Sequence, residues 1–424
     1  MTKLYTTGGN PIALYTTGGV RVMGPPAESG ESDIDPSTLT TLRQVTDNTA
    51  YTRTQSTVDS RGETIITAHT VRRPAKAIQL QHTNKTGGVG GPAPTQDLIL
   101  RAGFEIAGTY HPVTFGGEFS VTVEPGTRAL SDTVGETVIV KPGDVIYSIV
   151  EMASGRIGNG GYGAPGGYAS KRYPGRYQPP PGTLNSGELA GSPSGIYGLT
   201  TDDTLSVVIV GDSFSQQGWP RAGVDASRLA WSDWSVWLDR TSTDRLGLLA
   251  DRMPGTGPIP YDVALVFWGG NDRTTDLDAW NRKSIASWRL FEAAGCKVVT
   301  KTLHPYTSST DGWTTTEGQS YHDEAQNEVI NARNAWLRDG APIDADDAPL
   351  PAGTTAAGAI RIGDASHPVT FPAFDESDAT SSARDSGIWR VDGGAWSADG
   401  IHLSNYGVFR LSEIFAQWVA DNLT

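Results

Sequence analysis

The pattern of apolar residues changes near residue 200. Of all the sequence features, this change most limits the folds that the chain can adopt. Beyond that point the apolar runs are continuous rather than alternating, and helical stretches separate them. The runs are 205–210, 263–268 and 297–300, and the helical stretches are 281–294, 323–338 and a last one with Ser404 as its N-cap. A strand that is apolar on both sides of its pleat must be covered by helices on both faces. Residues 201–424 are therefore predicted to form a three-layer α/β/α domain with a mostly parallel sheet.

Residues 36–152 carry a different signal. Short β-branched runs such as 63–67, 119–123 and 137–140 are separated by Gly, Pro and Asp. Alternate residues of 119–123 are apolar, so their side chains face one side of a strand. Short strands of this kind, with turn residues between them, predict an all-β sandwich or a jelly-roll-like domain.

Two flanking segments are interpreted as connections rather than as folded domains. Residues 153–200 are rich in Gly, Tyr and Pro, which favours a linker or a long loop laid over the next domain. The tyrosines beside arginines in this segment leave open a role in stacking on sugar rings.

Residues 1–35 contain LYTTGG twice, at 4–9 and 14–19. The repeat indicates either a pair of short strands packed on a neighbouring chain or domain, or a segment that attaches the protein to a larger assembly.

Charge and cysteine content exclude several functions. The formal net charge is −14, and all of it lies in 201–424, which holds 17 Lys and Arg against 31 Asp and Glu. An acidic half of this kind repels phosphate, so nucleic acid is not expected as the main partner. The single cysteine, Cys296, excludes an internal disulfide and a cysteine zinc site. No metal or cofactor is predicted.

Two further expectations concern membranes and export. No apolar run approaches about 18 residues, so no transmembrane helix is expected. The start, MTKLYTTGGNPIALYTTGG, lacks the basic-then-apolar pattern of a cleaved signal peptide. The compartment stays open, with association with a virion and export by another route as alternatives.

Three short motifs stand where predicted strands end or the last helix begins. They are Gly211-Asp212-Ser213, Gly269-Gly270-Asn271-Asp272 and Asp399-Gly400-Ile401-His402. In open α/β sheets the functional groups lie beyond the carboxyl ends of the strands. Taken singly, each motif is more typical of an ordinary turn than of a catalytic site. Together, in this order, they predict a serine beside a histidine that is oriented by a carboxylate one turn away.

In these motifs the chain resembles the SGNH (GDSL) hydrolase superfamily over about 203–422. The resemblance implies a flavodoxin-like sheet and a serine esterase that works through an acyl-enzyme. It implies Ser213 as the nucleophile, His402 as the base and Asp399 as the carboxylate that orients the imidazole. It also implies an oxyanion hole formed by the backbone N–H of Ser213 and the side-chain amide of Asn271.

The chain departs from the family pattern in two loops. Members usually have a further glycine whose backbone N–H completes the oxyanion hole. Gly247 is the only glycine in 224–254 and is taken for this role, with 240–242 as the alternative position of that loop. The segment 214–218 is one residue longer to its glycine than the common pattern. Asp392 is a competing carboxylate, but it lacks the one-turn spacing to the histidine.

The substrate is predicted from the aromatic residues and from the region upstream. Tryptophans follow the serine motif and flank the asparagine, which indicates either core packing or an aromatic platform for sugar rings. The residues expected to contact substrate are Trp219, Trp268 and Gly270, with Trp231, Trp234 and Trp237 as further members of the platform. The segment 111–117 resembles the β-sandwich that precedes the catalytic domain in some family members. These features favour O-acetyl groups on a carbohydrate as the substrate.

Two other functions stay open. A lipase or general carboxylesterase of the same fold would differ in its preference for the length of the acyl chain. A phage tail-type structural or receptor-binding protein that carries an SGNH domain would account for the LYTTGG pair. The partners expected are an acyl ester, a second copy of the chain, or a larger assembly such as a phage virion.

Overall fold

The computed structural model describes most of the chain. The described residues are 14–15, 21–22, 34–47, 49–50, 57–59, 63–84, 97–125, 127–135, 137–154, 156–158, 170–174, 193–201, 204–234 and 259–424. They fall into two compact units, one ending at Thr201 and the other beginning at Thr204. No helix within these ranges is long and apolar enough to cross a bilayer.

The N-terminal unit is built from β-strands, and the ladders of its sheets are antiparallel. They are β1 (Leu14–Tyr15), β2 (Arg21–Val22), β3 (Thr41–Gln44), β4 (Thr49–Ala50), β5 (Thr57–Asp59), β6 (Glu63–Thr70), β7 (Ala75–Thr83), β8 (Leu98–Ile106), β9 (Thr109–Pro112), β10 (Val121–Val123), β11 (Arg128–Leu130), β12 (Val145–Ser154), β13 (Arg156–Gly158), β14 (Ser170–Pro174) and β15 (Gly195–Thr200). One sheet has the order β10-β8-β12-β6-β14, with β9 also paired to β8. A second sheet has the order β11-β7-β15-β3, and two short ladders join β1 to β2 and β5 to β13.

One apolar core serves the two larger sheets of this unit. Leu100 and Phe104 from β8 belong to the same buried cluster as Ile78 and Leu80 from β7 and Ile196 from β15. Two antiparallel sheets that share one core are what a sandwich requires. The β-sandwich or jelly-roll-like domain in 36–152 stays a prediction.

The segment 153–200 differs from the predicted linker. It contains β13 and β14, and its last strand, β15, lies between β7 and β3 in the second sheet. A glycine-rich stretch can pair here because two neighbouring strands supply partners for its backbone N–H and C=O groups.

The second LYTTGG copy supplies Leu14–Tyr15 to β1, which pairs with β2. The first copy, at 4–9, lies outside the described residues.

The C-terminal unit holds four parallel strands: β16 (Ser206–Gly211), β17 (Ala230–Asp233), β18 (Val263–Phe267) and β19 (Lys297–Val299). Their order is β17-β16-β18-β19, which is that of a flavodoxin-like doubly wound sheet. Every residue of β16 and β18 is buried. Because successive side chains of a strand point to opposite faces, both faces of these central strands are covered. The predicted parallel α/β sheet is confirmed, and a hairpin of β20 (Thr307–Ser309) and β21 (Gln319–Tyr321) follows it.

The helices of this unit begin mostly at aspartates. They are α1 (Ser213–Gln216), α2 (Trp219–Ala226), α3 (Leu277–Ala293), α4 (Glu324–Arg338), α5 (Glu376–Thr380) and α6 (Asn405–Leu423). The aspartates at 212, 276, 323 and 375 cap α1, α3, α4 and α5, and each accepts a hydrogen bond from a backbone N–H of the first turn. Ser404 caps α6, as predicted. Part of the acidity of this unit therefore serves the starts of its helices, where negative charge is favourable.

An aromatic cluster joins α2 and α6 to the sheet. Trp219, at the start of α2, is fully buried and stacks on Phe267 of β18 with ring centroids 5.6 Å apart. Phe415 of α6 meets Trp219 edge to face at 5.2 Å, and Phe374 lies 5.7 Å from the same indole. Trp219 was predicted to contact substrate. Its burial makes it a core residue instead.

The substitution Phe415→Ala should lower the free energy of unfolding of the C-terminal unit by about 3–5 kcal/mol, because it opens a cavity among these rings. The exposed Phe409 of the same helix is the control. Phe409→Ala should cost under about 1 kcal/mol, since little apolar surface leaves water there on folding. Urea denaturation of both variants measures the difference, and equal losses would contradict the assignment of Phe415 to the core.

Candidate active site

The candidate site lies at the carboxyl edge of the parallel sheet. Gly211 ends β16 and is paired with Phe267, which ends β18, so the serine and asparagine motifs emerge side by side. A Cβ atom on Gly211 would overlap the side chain of Ser215 and lie 2.9 Å from the carbonyl oxygen of Phe267. Ser215 Oγ donates to that same carbonyl at 2.9 Å. The close approach of the two strand ends therefore requires glycine at 211.

The buried carboxylate of Asp212 joins the two motifs. Its Oδ1 accepts from the N–H of Phe214 at 3.1 Å and so caps α1. Its Oδ2 accepts from the N–H of Gly270 at 2.9 Å. A Cβ atom on Gly270 would lie 3.0 Å from Oδ2, so glycine permits this approach. Gly270 was predicted to contact substrate, but it is buried and serves this hydrogen bond instead.

Ser213, His402 and Asp399 form one hydrogen-bonded line. Ser213 begins α1, and its Oγ lies 2.9 Å from Nε2 of His402. Nδ1 of His402 lies 2.8 Å from Oδ2 of Asp399. With the carboxylate ionised, Nδ1 carries the proton and Nε2 accepts from the serine hydroxyl. The arrangement can perform nucleophilic attack with a histidine base and an orienting carboxylate.

The Asp399 carboxylate is held in its ionised form. Burial raises its pKa, but hydrogen bonds from the His402 ring and from the backbone N–H groups of His402 and Ile401 outweigh burial and lower the pKa to about 2. The two N–H groups reach Oδ1 at 2.6 and 2.9 Å. Asp399 therefore carries a full negative charge at neutral pH and can stabilise an imidazolium.

The turn that carries Asp399 and His402 is fixed at both ends. Gly400 has a φ of 83°, and a Cβ atom there would overlap the carbonyl oxygen of Thr307 in β20. Thr307 N–H donates to the carbonyl of Gly400 at 3.1 Å. At the other end, the side-chain amide of Gln217 donates to Leu403 O and accepts from Leu403 N–H, both at 2.8 Å. Gln217 lies in the segment that departs from the family pattern, and that extra residue was the only signal that could have marked it.

A hydrogen-bonded network of four buried polar side chains lies beside the serine. Glu376 Oε1 accepts from Nζ of Lys301 at 2.8 Å and from Nδ1 of His304 at 2.9 Å. On the far side of the imidazole, Nε2 of His304 accepts from Nη2 of Arg273 at 3.4 Å. The His304 ring stacks on Phe214, the residue after Ser213, with centroids 3.8 Å apart. The sequence did not predict this network, because its four residues belong to no local motif.

Burial decides the protonation states in this network. Burial lowers the pKa of His304 well below its usual value, and the charges of Lys301 and Arg273 lower it further, so the ring is neutral. Burial raises the pKa of Glu376 to about 7, although Lys301 opposes the shift. Burial also lowers the pKa of Arg273, against the charges of Asp212 and Asp399 among others. The guanidinium of Arg273 packs 4.1 Å over the ring of Tyr306.

Several other predicted residues do not join this arrangement. Trp231, Trp234 and Trp268 are buried, so they form core and not an aromatic platform on the surface. Asn271 is partly buried and follows Gly270 directly. Asp392 forms an ion pair with Arg390 at 2.9 Å. The remaining predicted residues, Gly247 and Trp237, lie outside the described residues.

No group of three His, Cys, Asp or Glu side chains within the described ranges is arranged to hold a metal ion. The polar residues of the site instead pair with one another.

Comparisons with known proteins give structural neighbours only. No family model and no curated protein matches this chain. A candidate acylhydrolase from Bacteroides fragilis is 16% identical, with a TM-score of 0.35 over 52% of this chain and 88% of that one. A candidate GDSL-like lipase from Bacteroides ovatus is 10% identical, with a TM-score of 0.30 over 85% of each chain. A peptidoglycan O-acetylesterase is 11% identical, with a TM-score of 0.33 over 93% of this chain and 80% of that one.

The substitution Glu376→Gln should destabilise the C-terminal unit by about 3–5 kcal/mol at pH 8, because it leaves the buried ammonium of Lys301 without a counter-charge. The double variant Lys301→Met with Glu376→Gln should lose less than Glu376→Gln alone, since no unpaired charge remains. Urea denaturation of these two variants and of Lys301→Met completes a double-mutant cycle, which gives the coupling energy of the pair.

The exposed pair of Arg282 and Asp278, 2.7 Å apart on α3, is the matched control. The same cycle with Arg282→Met and Asp278→Asn should give a coupling below about 0.5 kcal/mol, because water screens both charges. Equal coupling energies at the two pairs would contradict the importance of burial.

Proposed function

We propose that the C-terminal unit is a serine esterase of the SGNH (GDSL) type. The observation that carries the proposal is the hydrogen-bonded line of Ser213, His402 and Asp399 at the carboxyl edge of a parallel sheet. The serine begins a helix, the histidine precedes another, and the two are 189 residues apart in the chain. The resemblance of all three motifs to that superfamily supports the same assignment.

The reaction runs through an acyl-enzyme. Nε2 of His402 takes the proton of the Ser213 hydroxyl as Oγ forms a bond to the carbonyl carbon of the ester. Asp399 stabilises the imidazolium that results. The tetrahedral intermediate then expels the alcohol oxygen, which receives the proton from His402. Water attacks the acyl-serine with His402 again as base, and the acid and the free serine are released.

The negative oxygen of each intermediate is held by hydrogen-bond donors around the serine. The backbone N–H of Ser213 lies in the first turn of α1, where helical N–H groups have no intrahelical acceptor. The side-chain amide of Asn271 is the second donor, on the loop whose Gly270 N–H is bonded to Asp212. Gly247 stays a prediction for the third donor. Donors of this kind stabilise the transition state because they are oriented before the charge develops.

The substrate we propose is a short acyl ester, an acetyl group on a carbohydrate. Two features support it: the β-rich unit that precedes the esterase unit, and the tyrosines beside arginines in 153–200. The tryptophans predicted as a platform give no support, because those that the structure describes are buried. A lipase built on the same fold would accept a long acyl chain beside Ser213, and the length of the preferred chain distinguishes the two.

The substitution Ser213→Ala should reduce the hydrolysis of p-nitrophenyl acetate by at least about 1,000-fold, because it removes the nucleophile. Asp399→Asn should reduce kcat by roughly 10⁴-fold, because an amide no longer favours the Nδ1–H tautomer of His402. Asp392→Asn is the matched control and should keep wild-type activity. Full activity in Ser213→Ala would reject the serine esterase.

Acyl-chain preference tests the finer proposal. The wild-type protein should release acetate from acetylated polysaccharide and should hydrolyse p-nitrophenyl acetate faster than the palmitate ester, because a short acyl group needs no long apolar groove. Acetate release and nitrophenol absorbance measure the two reactions, with Ser213→Ala as the blank. Comparable rates on the two chain lengths would count against a carbohydrate acetylesterase.

A further inference from the structure

Trp313 has a backbone conformation that a bulky residue rarely adopts. Its φ is 60°, in the left-handed region where Cβ crowds the following carbonyl. Such strain persists only where the surrounding structure overdetermines it, and strained residues concentrate at functional sites. Trp313 lies in the loop between β20 and β21, outside every motif that the sequence singles out.

Several hydrogen bonds hold Trp313 in this conformation. Its backbone N–H donates to Ser309 Oγ at 2.8 Å, and its indole Nε1–H donates to Thr307 Oγ1 at 2.9 Å. The loop itself is tied together by the carboxylate of Asp311, which accepts five hydrogen bonds. Their donors are Ser309 Oγ, the backbone N–H groups of Thr314 and Thr315, and the hydroxyls of the same two threonines. The indole is therefore fixed before any ligand arrives.

The fixed indole lies against the turn that carries the proposed catalytic pair. A Cβ atom on Gly400, between Asp399 and His402, would lie 2.9 Å from Cζ2 of Trp313. Gly400 is bonded to the same strand that anchors the indole, because its carbonyl accepts from Thr307 N–H at 3.1 Å. The indole of Trp313 is thus held in a fixed position beside the turn that carries Asp399 and His402.

Trp313 is partly exposed, and the one polar atom of its side chain already has an internal partner. The part of the side chain that can contact a ligand is therefore aromatic carbon. The face of an aromatic ring carries partial negative charge and attracts the slightly positive C–H bonds of a ligand. A pyranose ring has such C–H bonds on one face. The surrounding chain from 201 to 424 holds 31 acidic against 17 basic residues, which disfavours an anionic sugar.

We propose that Trp313 is a specificity-determining residue that stacks on a neutral pyranose ring and so presents the acetyl ester of that sugar to Ser213. The inference rests on the proposed esterase function of Ser213, His402 and Asp399. It names the substrate class as O-acetylated neutral polysaccharide and assigns the recognition to one side chain.

Three variants test the proposal on two substrates, p-nitrophenyl acetate and acetylated xylan. Trp313→Gly removes the ring, and glycine adopts a φ of 60° without strain, so folding should be kept. Trp313→Phe keeps an aromatic ring. Thr307→Val removes the hydrogen bond to the indole but leaves the ring in place. Circular dichroism and thermal unfolding check the fold of each variant.

Trp313→Gly should raise KM for acetylated xylan about tenfold, with kcat within about threefold of wild type, because stacking contributes to binding more than to the chemical step. Its kcat/KM for p-nitrophenyl acetate should stay within about threefold of wild type, because that ester has no sugar to stack. Trp313→Phe and Thr307→Val should keep most of the affinity for xylan.

Two results with Trp313→Gly would overturn the proposal. One is an unchanged KM for acetylated xylan in Trp313→Gly, and the other is an equal loss on both substrates, which would make Trp313 a support of the His402 turn. A wild-type protein that hydrolyses p-nitrophenyl acetate through Ser213 but leaves acetylated xylan intact would also reject it, while the esterase function would stand. A wild-type protein inactive on p-nitrophenyl acetate would reject the esterase function itself.

Discussion

The buried carboxylate of Asp212 is the interaction on which the candidate site depends. One of its oxygens caps the helix that begins at Ser213, and the other accepts the N–H of Gly270 on the loop that carries Asn271. A single side chain therefore positions the serine and the asparagine loop at the point where β16 and β18 end side by side. A carboxylate buried without donors would be unfavourable. Glycine is required at 211, where a Cβ atom would overlap Ser215, and glycine at 270 permits the close approach of the Asp212 carboxylate.

The negative charge at this edge of the sheet is balanced from within the unit. Asp212 and Asp399 both act on the guanidinium of Arg273, which His304 contacts. A neutral imidazole is what can link that guanidinium to Glu376, since it accepts on one nitrogen and donates from the other. Many of the acidic residues of this unit therefore have a structural role. Some aspartates cap helices, and others face buried cations.

The histidine side of the site is built by loops and not by the sheet. Gly400 and Trp313 both have positive φ, but only glycine adopts that conformation without strain. The loop around Asp311 compensates for the strain with several hydrogen bonds. The turn of Asp399 and His402 is bonded to the neighbouring strand through Thr307 N–H and the carbonyl of Gly400. These contacts matter because the proposed triad, whose serine and histidine are 189 residues apart in the chain, works only if its distances are held.

The sequence by itself determined the local elements and the three motifs. Ser404 caps α6 and the apolar run at 205–210 forms β16, because caps and periodicity depend on neighbouring residues. Only the tertiary structure decided that Trp219 and Trp268 are core, and that Lys301 pairs with Glu376, 75 residues away. Burial and partners of this kind depend on segments distant in the chain. No local pattern encodes them, and the left-handed conformation of Trp313 likewise follows from the hydrogen bonds that surround it.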